Sequence, residues 1–165
     1  MTKSKSIKVK MNLAKGVSAP VRGTKLSAAL DLQANIESDV LVQPGSTVMI
    51  PTGVFIDMSA DPTLAALMLP RSGLGAKQGL VLGNGVGLID NDYTGELMVA
   101  AWNRNHMTRR VGLGAVTNES VVIEPGMRLA QLMFLNIAFP DIEVSEIEDF
   151  EETERGAEGF GSTGT

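Results

Sequence analysis

Residues 7–13 read IKVKMNL, in which Ile7, Val9, Met11 and Leu13 alternate with Lys8, Lys10 and Asn12. A period of two gives an extended chain one apolar and one polar face, the pattern of a half-buried β-strand. Leu30, Leu32, Ala34 and Ile36 repeat the alternation. Short apolar runs follow at 40–42, 47–50, 53–58, 64–69, 97–102, 121–123 and 129–135. Pro44-Gly45 and Pro125-Gly126 punctuate some of them, and Gly or Asn separates others. No amphipathic helical period lasts beyond two turns, and the one helix expected is short, over 72–78. Many short strands between regular turn signals specify an all-β sandwich, barrel or jelly roll.

The rest of the composition narrows the function. The chain has 165 residues, 44% of them apolar and 20% charged, which suits one globular domain with a real core. It has no Cys, which excludes a disulfide scaffold, a thiol nucleophile and a Cys-ligated zinc site. His106 is the only histidine, so neither a His-rich metal centre nor a Ser-His-Asp triad is expected. No apolar run opens the chain or approaches the length of a membrane span, and a cytoplasmic protein (host cytoplasm for a viral one) with no membrane partner is expected. The net charge is −5. Seven carboxylates and no Lys or Arg lie within 143–154, which leaves the remainder slightly basic. An anionic small molecule suits that body. No basic stripe for duplex nucleic acid is present, and one Trp, one Tyr and five Phe offer little stacking surface for single strands.

Two organisational features stand apart from the strands. Residues 104–119, RNHMTRRVGLGAVTNE, lie between strand signals and are too long for a tight hairpin; they read as an inserted loop or hairpin extension. The glycine-rich stretch RGAEGFGSTGT at 155–165 cannot bury a core. The expected organisation is therefore a β-domain over 1–150 and a flexible C-terminal arm over 151–165.

Four segments can carry chemistry. PRSGLGAK at 70–77 is a glycine-rich strand-to-helix turn, either a plain turn or an anion site in which Arg71 adds a phosphate fork. LGNGVGLIDNDYTGEL at 82–97 is a hairpin with little side-chain bulk, whose backbone can reach a flat ligand. Asp90 follows Leu88 and Ile89 there, which favours a partly desolvated carboxylate acting as a base; the plain alternative is an Asp capping a turn. In GMRLAQLMF at 126–134, Gln131 is the one amide of an apolar strand and needs either a backbone partner or a ligand. In RGAEGFGSTG at 155–164, an Arg and a Phe on a mobile segment suit a lid over an anionic, planar ligand.

Together with AALDLQA at 28–34, these segments resemble, in order and over nearly the whole chain, the five motifs of the trimeric dUTPase (dUTP diphosphatase) family. The resemblance implies a distorted β-barrel or jelly roll, a homotrimer, and active sites at subunit interfaces closed by the arm of a further subunit. It implies an enzyme that hydrolyses dUTP to dUMP and pyrophosphate with Mg²⁺, by water attack on the α-phosphorus, lowering dUTP and supplying dUMP for thymidylate synthesis. Asp90 matches the catalytic carboxylate. Asp31 matches a carboxylate that holds the metal through water, the ion being held mainly by the triphosphate. Arg71, Ser72, Gly73 and Gln131 match phosphate contacts, and Arg155 matches a γ-phosphate contact. Asn84, Leu88, Ile89 and Met98 match the uracil pocket, Tyr93 packs under the deoxyribose, and Phe160, followed by Gly161, stacks on the base.

Two departures qualify the match. The last motif of the family usually reads Arg-Gly-x-Gly-Gly-Phe-Gly, and here Glu158 replaces the first Gly of the pair. The 104–119 segment is longer than the turn of bacterial-type members, and it is read as a solvated extension or as a surface for a protein partner. Two alternatives follow: a nucleotide-gated regulatory protein acting through 104–119, and the related dCTP deaminase, which the Asp90/Tyr93 motif and the Phe160 tail disfavour.

Overall fold

The computed structural model describes residues 7–106, 108–109, 116–117, 119–146, 153 and 156; for 108–109 and 116–117 it describes the backbone alone. Twelve strands and one helix are found among them: β1 Lys10–Leu13, β2 Leu30–Gln33, β3 Val40–Val42, β4 Thr47–Asp57, β5 Leu64–Pro70, α1 Ser72–Gln78, β6 Leu80–Leu82, β7 Gly87–Ile89, β8 Glu96–Asn103, β9 Thr108–Arg109, β10 Val116–Thr117, β11 Val121–Ile123 and β12 Arg128–Asn136. They form two four-stranded sheets, β1-β4-β8-β6 and β2-β12-β5-β7, and two ribbons, β3-β11 and β9-β10. Every pairing is antiparallel. The sheets do not close into a continuous barrel, and the architecture is the distorted jelly roll expected of the sequence.

The alternation is realised unevenly: in the 7–13 stretch only Val9 and Met11 pack against the core, while Ile7 and Leu13 are exposed, whereas Leu32 and Ala34 of the second stretch are buried. Leu32 of β2, Ile50 of β4, Leu97 of β8, Ile123 of β11 and Leu132 of β12 are all buried in one core between the sheets. At about 1.5–3 kcal/mol for each large apolar side chain, such burial is the main favourable contribution to folding. Two expected strands are shorter than the alternation that announces them. β1 begins at Lys10, and β2 stops at Gln33, where Ala34 N–H turns to donate to Met127 O. β6 carries too few residues for a period to be read.

The runs 47–50 and 53–58, separated in sequence by Pro51 and Thr52, join in the single strand β4, which ends at Asp57. A register shift against β8 between Pro51 and Phe55 absorbs the interruption. Gly53 sits at φ +67, open to glycine at no steric cost. Side chains replace the lost ladder bonds. Gly53 N–H donates to Glu96 Oε1 (2.6 Å), and the buried Thr52 hydroxyl donates to Leu97 O (2.6 Å) and accepts Val54 N–H (3.2 Å). This bulge fixes the part of β8 that ends at Glu96–Met98.

The base of the 104–119 segment is tied to α1. Buried Asn103 donates to Val42 O and Glu119 O, Asn105 donates to Gln78 O, and Arg104 donates to Gly75 O. β9 and β10 pair Arg109 with Val116 and Thr108 with Thr117.

Candidate functional site

The hairpin that leads into β7 builds one half of the site. Gly85 N–H donates to Leu82 O and Val86 N–H to Asn84 O, which folds residues 82–86 back on themselves. β7 then runs along β5, with Gly87 opposite Met68 and Ile89 opposite Ala66. A Cβ on Gly87 would stand 3.1 Å from Met68 Cβ, so glycine lets the hairpin lie close to β5. A cavity of about 200 Å³ opens between this hairpin and β8, and Asn84, Leu88, Ile89, Asp90, Tyr93 and Met98 all line it. The five residues expected around a base and sugar are thus brought together with Asp90, the expected catalytic carboxylate. Tyr93 lies across Gly95, its hydroxyl donating to Glu96 O at 2.9 Å.

Asp90 stands at the end of β7 and is exposed; among the described residues none hydrogen-bonds its carboxylate. The partly desolvated setting expected from Leu88 and Ile89 is not supplied by its own chain. Ile89 is buried, but Leu88 points outward because successive strand residues face opposite sides.

β2, β12 and the β5–α1 turn build the other half. Asp31 on β2 faces Gln131 on β12, which faces Leu69 on β5. The Asp31 side chain is 11% exposed and meets two guanidiniums: Arg71 Nε lies 3.2 Å from Oδ1, and Arg128 Nη1 lies 3.3 Å from Oδ2. Arg71 also donates to Arg128 O. Ser72 and Gly73 open α1 with no side-chain cap, and a Cβ on Gly73 would meet nothing. No described residue hydrogen-bonds the half-buried Gln131 amide, so it does not have the backbone partner of a core amide. A second cavity, of about 440 Å³, runs from Asp31 and Arg128 along residues 17–23.

Arg128 is a member of this cluster that sequence reasoning passed over. Its signal was present: it lies three residues before Gln131, and both side chains belong to the strand that pairs with the Asp31 strand. Arg155, Phe160 and Gly161, with Glu158, lie outside the described residues. So do the side chains of 107–118, the bulk of the proposed partner surface.

The two halves occupy opposite edges of one sheet, β2 at one side and β7 at the other, and their cavities share no residue. Three strand spacings of about 4.8 Å separate those edges. One chain therefore keeps the Asp90 cavity and the Asp31 cavity apart, at separate places on the sheet.

The dUTPase family profile matches residues 15–164. This chain belongs to the dUTPase family. It is 49% identical over 146 residues to the deoxyuridine 5'-triphosphate nucleotidohydrolase of Hahella chejuensis, covering 88% of this chain and 86% of that one. It is 47% identical over 154 residues to the enzyme of the same name from Hydrogenovibrio crunogenus, covering 93% and 91%. Among solved structures, it superposes on the dUTPase of Staphylococcus bacteriophage 80alpha, a G164S mutant with dUpNHpp, with a TM-score of 0.79 at 26% identity, over 97% of this chain and all of that one. The family match disfavours a deaminase, and no observation on the described residues favours a purely regulatory protein.

Members of a nucleotide-hydrolase family of this kind are typically metal-dependent. Among the described residues, no group of three His, Cys, Asp or Glu side chains could hold a metal ion. Asp31 fits an indirect role. Two guanidiniums balance its charge, while its buried Oδ1 accepts no hydrogen bond and keeps a lone pair for water. Among the described residues, no helix is long and apolar enough to cross a membrane.

Proposed function

We infer that this chain hydrolyses dUTP to dUMP and pyrophosphate, and that Asp90 is its general base. The observation that carries the reading is the Asp90 carboxylate, exposed and, among the described residues, without a side-chain partner at the rim of the hairpin cavity. A carboxylate held by no other group is available to orient a water and take its proton as the water attacks the α-phosphorus. Such a base contributes about 10²–10⁴ in rate. Arg71, Gln131 and the N–H groups of Ser72 and Gly73 hold the β- and γ-phosphates and balance the charge that grows on the departing pyrophosphate. Arg128 joins them through its contact with Asp31. Asp31 would hold Mg²⁺ through water beside the triphosphate, and the ion would supply charge withdrawal from the phosphates.

Selectivity follows from the cavity. Backbone groups at Asn84, Leu88, Ile89 and Met98 pair with the uracil edge, and cytosine's edge would leave buried groups unpaired, a mismatch that can discriminate by about 10⁴–10⁵. The tight hairpin leaves no room for thymine's methyl. Tyr93 underlies the deoxyribose where a 2'-hydroxyl would otherwise fit.

The complete site lies between copies of the chain in a homotrimer. Support comes from the separation of the two cavities, which share no residue, and from the segment after β12, where Phe139 is 71%, Ile142 83% and Val144 92% exposed. An apolar strap of this kind is stabilised by burial against a neighbouring copy. The arm over 151–165 then reaches a neighbour's site, where Arg155 meets the γ-phosphate and Phe160 covers the uracil. Fifteen extended residues span up to about 50 Å, enough for the crossing. Pyrophosphate release is measured with dUTP, dCTP, dTTP and UTP, for wild type and Asp90→Asn. Release from dUTP alone, at least about a hundredfold slower in Asp90→Asn with nucleotide binding retained, is expected; unchanged turnover in the variant contradicts the assignment.

A further inference from the structure

We propose that Asn91 is the positioning residue that aims Asp90. The inference rests on the reading of Asp90 as the base and adds the part that holds it still. No described side chain restrains the Asp90 carboxylate, so its direction is set by its backbone. The β5–β7 ladder stops at Ile89, opposite Ala66, one residue before Asp90. Past that point the regular pairing is gone, and the next backbone bond is a turn in which Tyr93 N–H donates to Asp90 O at 3.2 Å.

The half-buried Asn91 amide takes over where the ladder ends. Its Nδ2 lies 2.8 Å from Leu64 O, 2.9 Å from Asp61 O and 3.1 Å from Met58 O. One NH₂ group has two hydrogens, so three acceptors share them and the amide is held from three sides. Leu64 begins β5, and Met58 and Asp61 belong to the turn that enters it. Asn91 thus locks the residue next to the base onto the strand that carries the hairpin. Its carbonyl acceptors lie away from both the hairpin cavity and the arginine cluster, so substrate contacts do not depend on it.

The test compares steady-state hydrolysis of dUTP by wild type, Asn91→Ala, Asn91→Ser, Asp90→Asn and Val42→Ala. Val42 is fully buried in the β3–β11 ribbon and serves as a stability control. Misplacing a catalytic group by about 1 Å costs up to about 10²-fold, so kcat of Asn91→Ala falls by about 10- to 100-fold. KM and the acid limb of the kcat–pH profile stay where they are, because neither substrate contacts nor the charge around Asp90 change. Asn91→Ser, with one hydroxyl donor, recovers part of kcat, and Val42→Ala keeps kcat despite a lower Tm. Wild-type kcat in Asn91→Ala, a loss carried entirely by KM, or an equal loss in Val42→Ala at similar Tm overturns the proposal. Should Asn91→Ala not fold, Asn91→Ser is judged by the same criteria. Absence of dUTP hydrolysis by wild type would instead refute the reading of the site.

Discussion

Gly95→Ala separates the proposed sugar-selecting role of Tyr93 from its contribution to folding. Gly95 does not occupy the left-handed region, so alanine there meets no backbone strain. The nearest obstacles are all atoms of Tyr93. A Cβ at 95 would stand 2.5 Å from its Oη, 2.7 Å from Cζ and 3.1 Å from Cε2. Ordinary contact needs roughly 3.5 Å, so the ring must retreat by about 1 Å. Tyr93 is 44% exposed, and it can swing into solvent at the cost of one hydroxyl bond to Glu96 O. That loss amounts to about 0.5–1.5 kcal/mol. The expected fall in Tm is therefore a few degrees, while selectivity changes by a larger factor. A displacement of about 1 Å in a positioning contact can change rates by up to about 10²-fold. The ratio of kcat/KM for dUTP to that for UTP should drop at least about tenfold, with most of the change in dUTP turnover and a gain for UTP. Tyr93 is the only tyrosine, so an ultraviolet difference spectrum reports directly whether its hydroxyl has left the carbonyl. A released tyrosine with an unchanged dUTP/UTP ratio would refute the assignment of sugar selection to this ring.

Thr52→Val keeps the side-chain shape but strands Leu97 O and Val54 N–H in the interior; a loss of about 2 kcal/mol is expected. Calorimetry should show Tm lower by roughly 4–8 °C, and an unchanged Tm would mean that the bulge is held by other groups. The Asp57 carboxyl is held below its ordinary range by the Ser59 hydroxyl and N–H, with Lys10 adding to the effect. A lowered carboxyl stabilises the fold above its unfolded value, 3.8, and ceases to do so as pH falls through the lower folded value. Asp57→Asn should therefore lower Tm near neutral pH, with the difference from wild type disappearing in strong acid; a difference that grows on acidification contradicts that sign. Truncation after Glu154 removes Arg155 and Phe160 and should leave the proposed trimer intact by sedimentation while abolishing most hydrolysis, and full activity in the truncated chain would rule out the arm as a lid.

Much of the fold was legible because period-two alternation is a direct image of two-sided strands. Leu30 and Leu32 alternate with Asp31, and their strand delivers that aspartate to the Gln131 strand. The misread points share a cause: side chains there stand in for backbone pairing, and local sequence does not say so. Pro51-Thr52-Gly53 looks like a break until Thr52 and Glu96 are seen to supply the missing bonds. Asn91 looks like a turn residue until its amide is found on three carbonyls from residues 58–64. Arg128 was hidden because its role depends on a long-range partner, Asp31, with no local motif of its own. The exposure of Asp90 was likewise invisible, since Ile89 turns to the opposite face and Leu88, on the same face as Asp90, is itself exposed.

The distribution of these residues leads to the central claim, that a working site is divided between chains. Asp90 and the hairpin cavity lie at the β7 edge of the β2-β12-β5-β7 sheet, and Asp31, with the Arg71 side chain against it, lies on the opposite edge strand β2. Subunit mixing tests this most directly. Asp90→Asn and Arg71→Ala trimers, each inactive alone, are dissociated together, reassembled in equal amounts and assayed for pyrophosphate release from dUTP. If each site takes its base from one chain and its anion half from another, random assortment restores about a quarter of wild-type activity. If both halves serve the same chain's site, every reassembled site lacks one of them, and the mixture stays inactive.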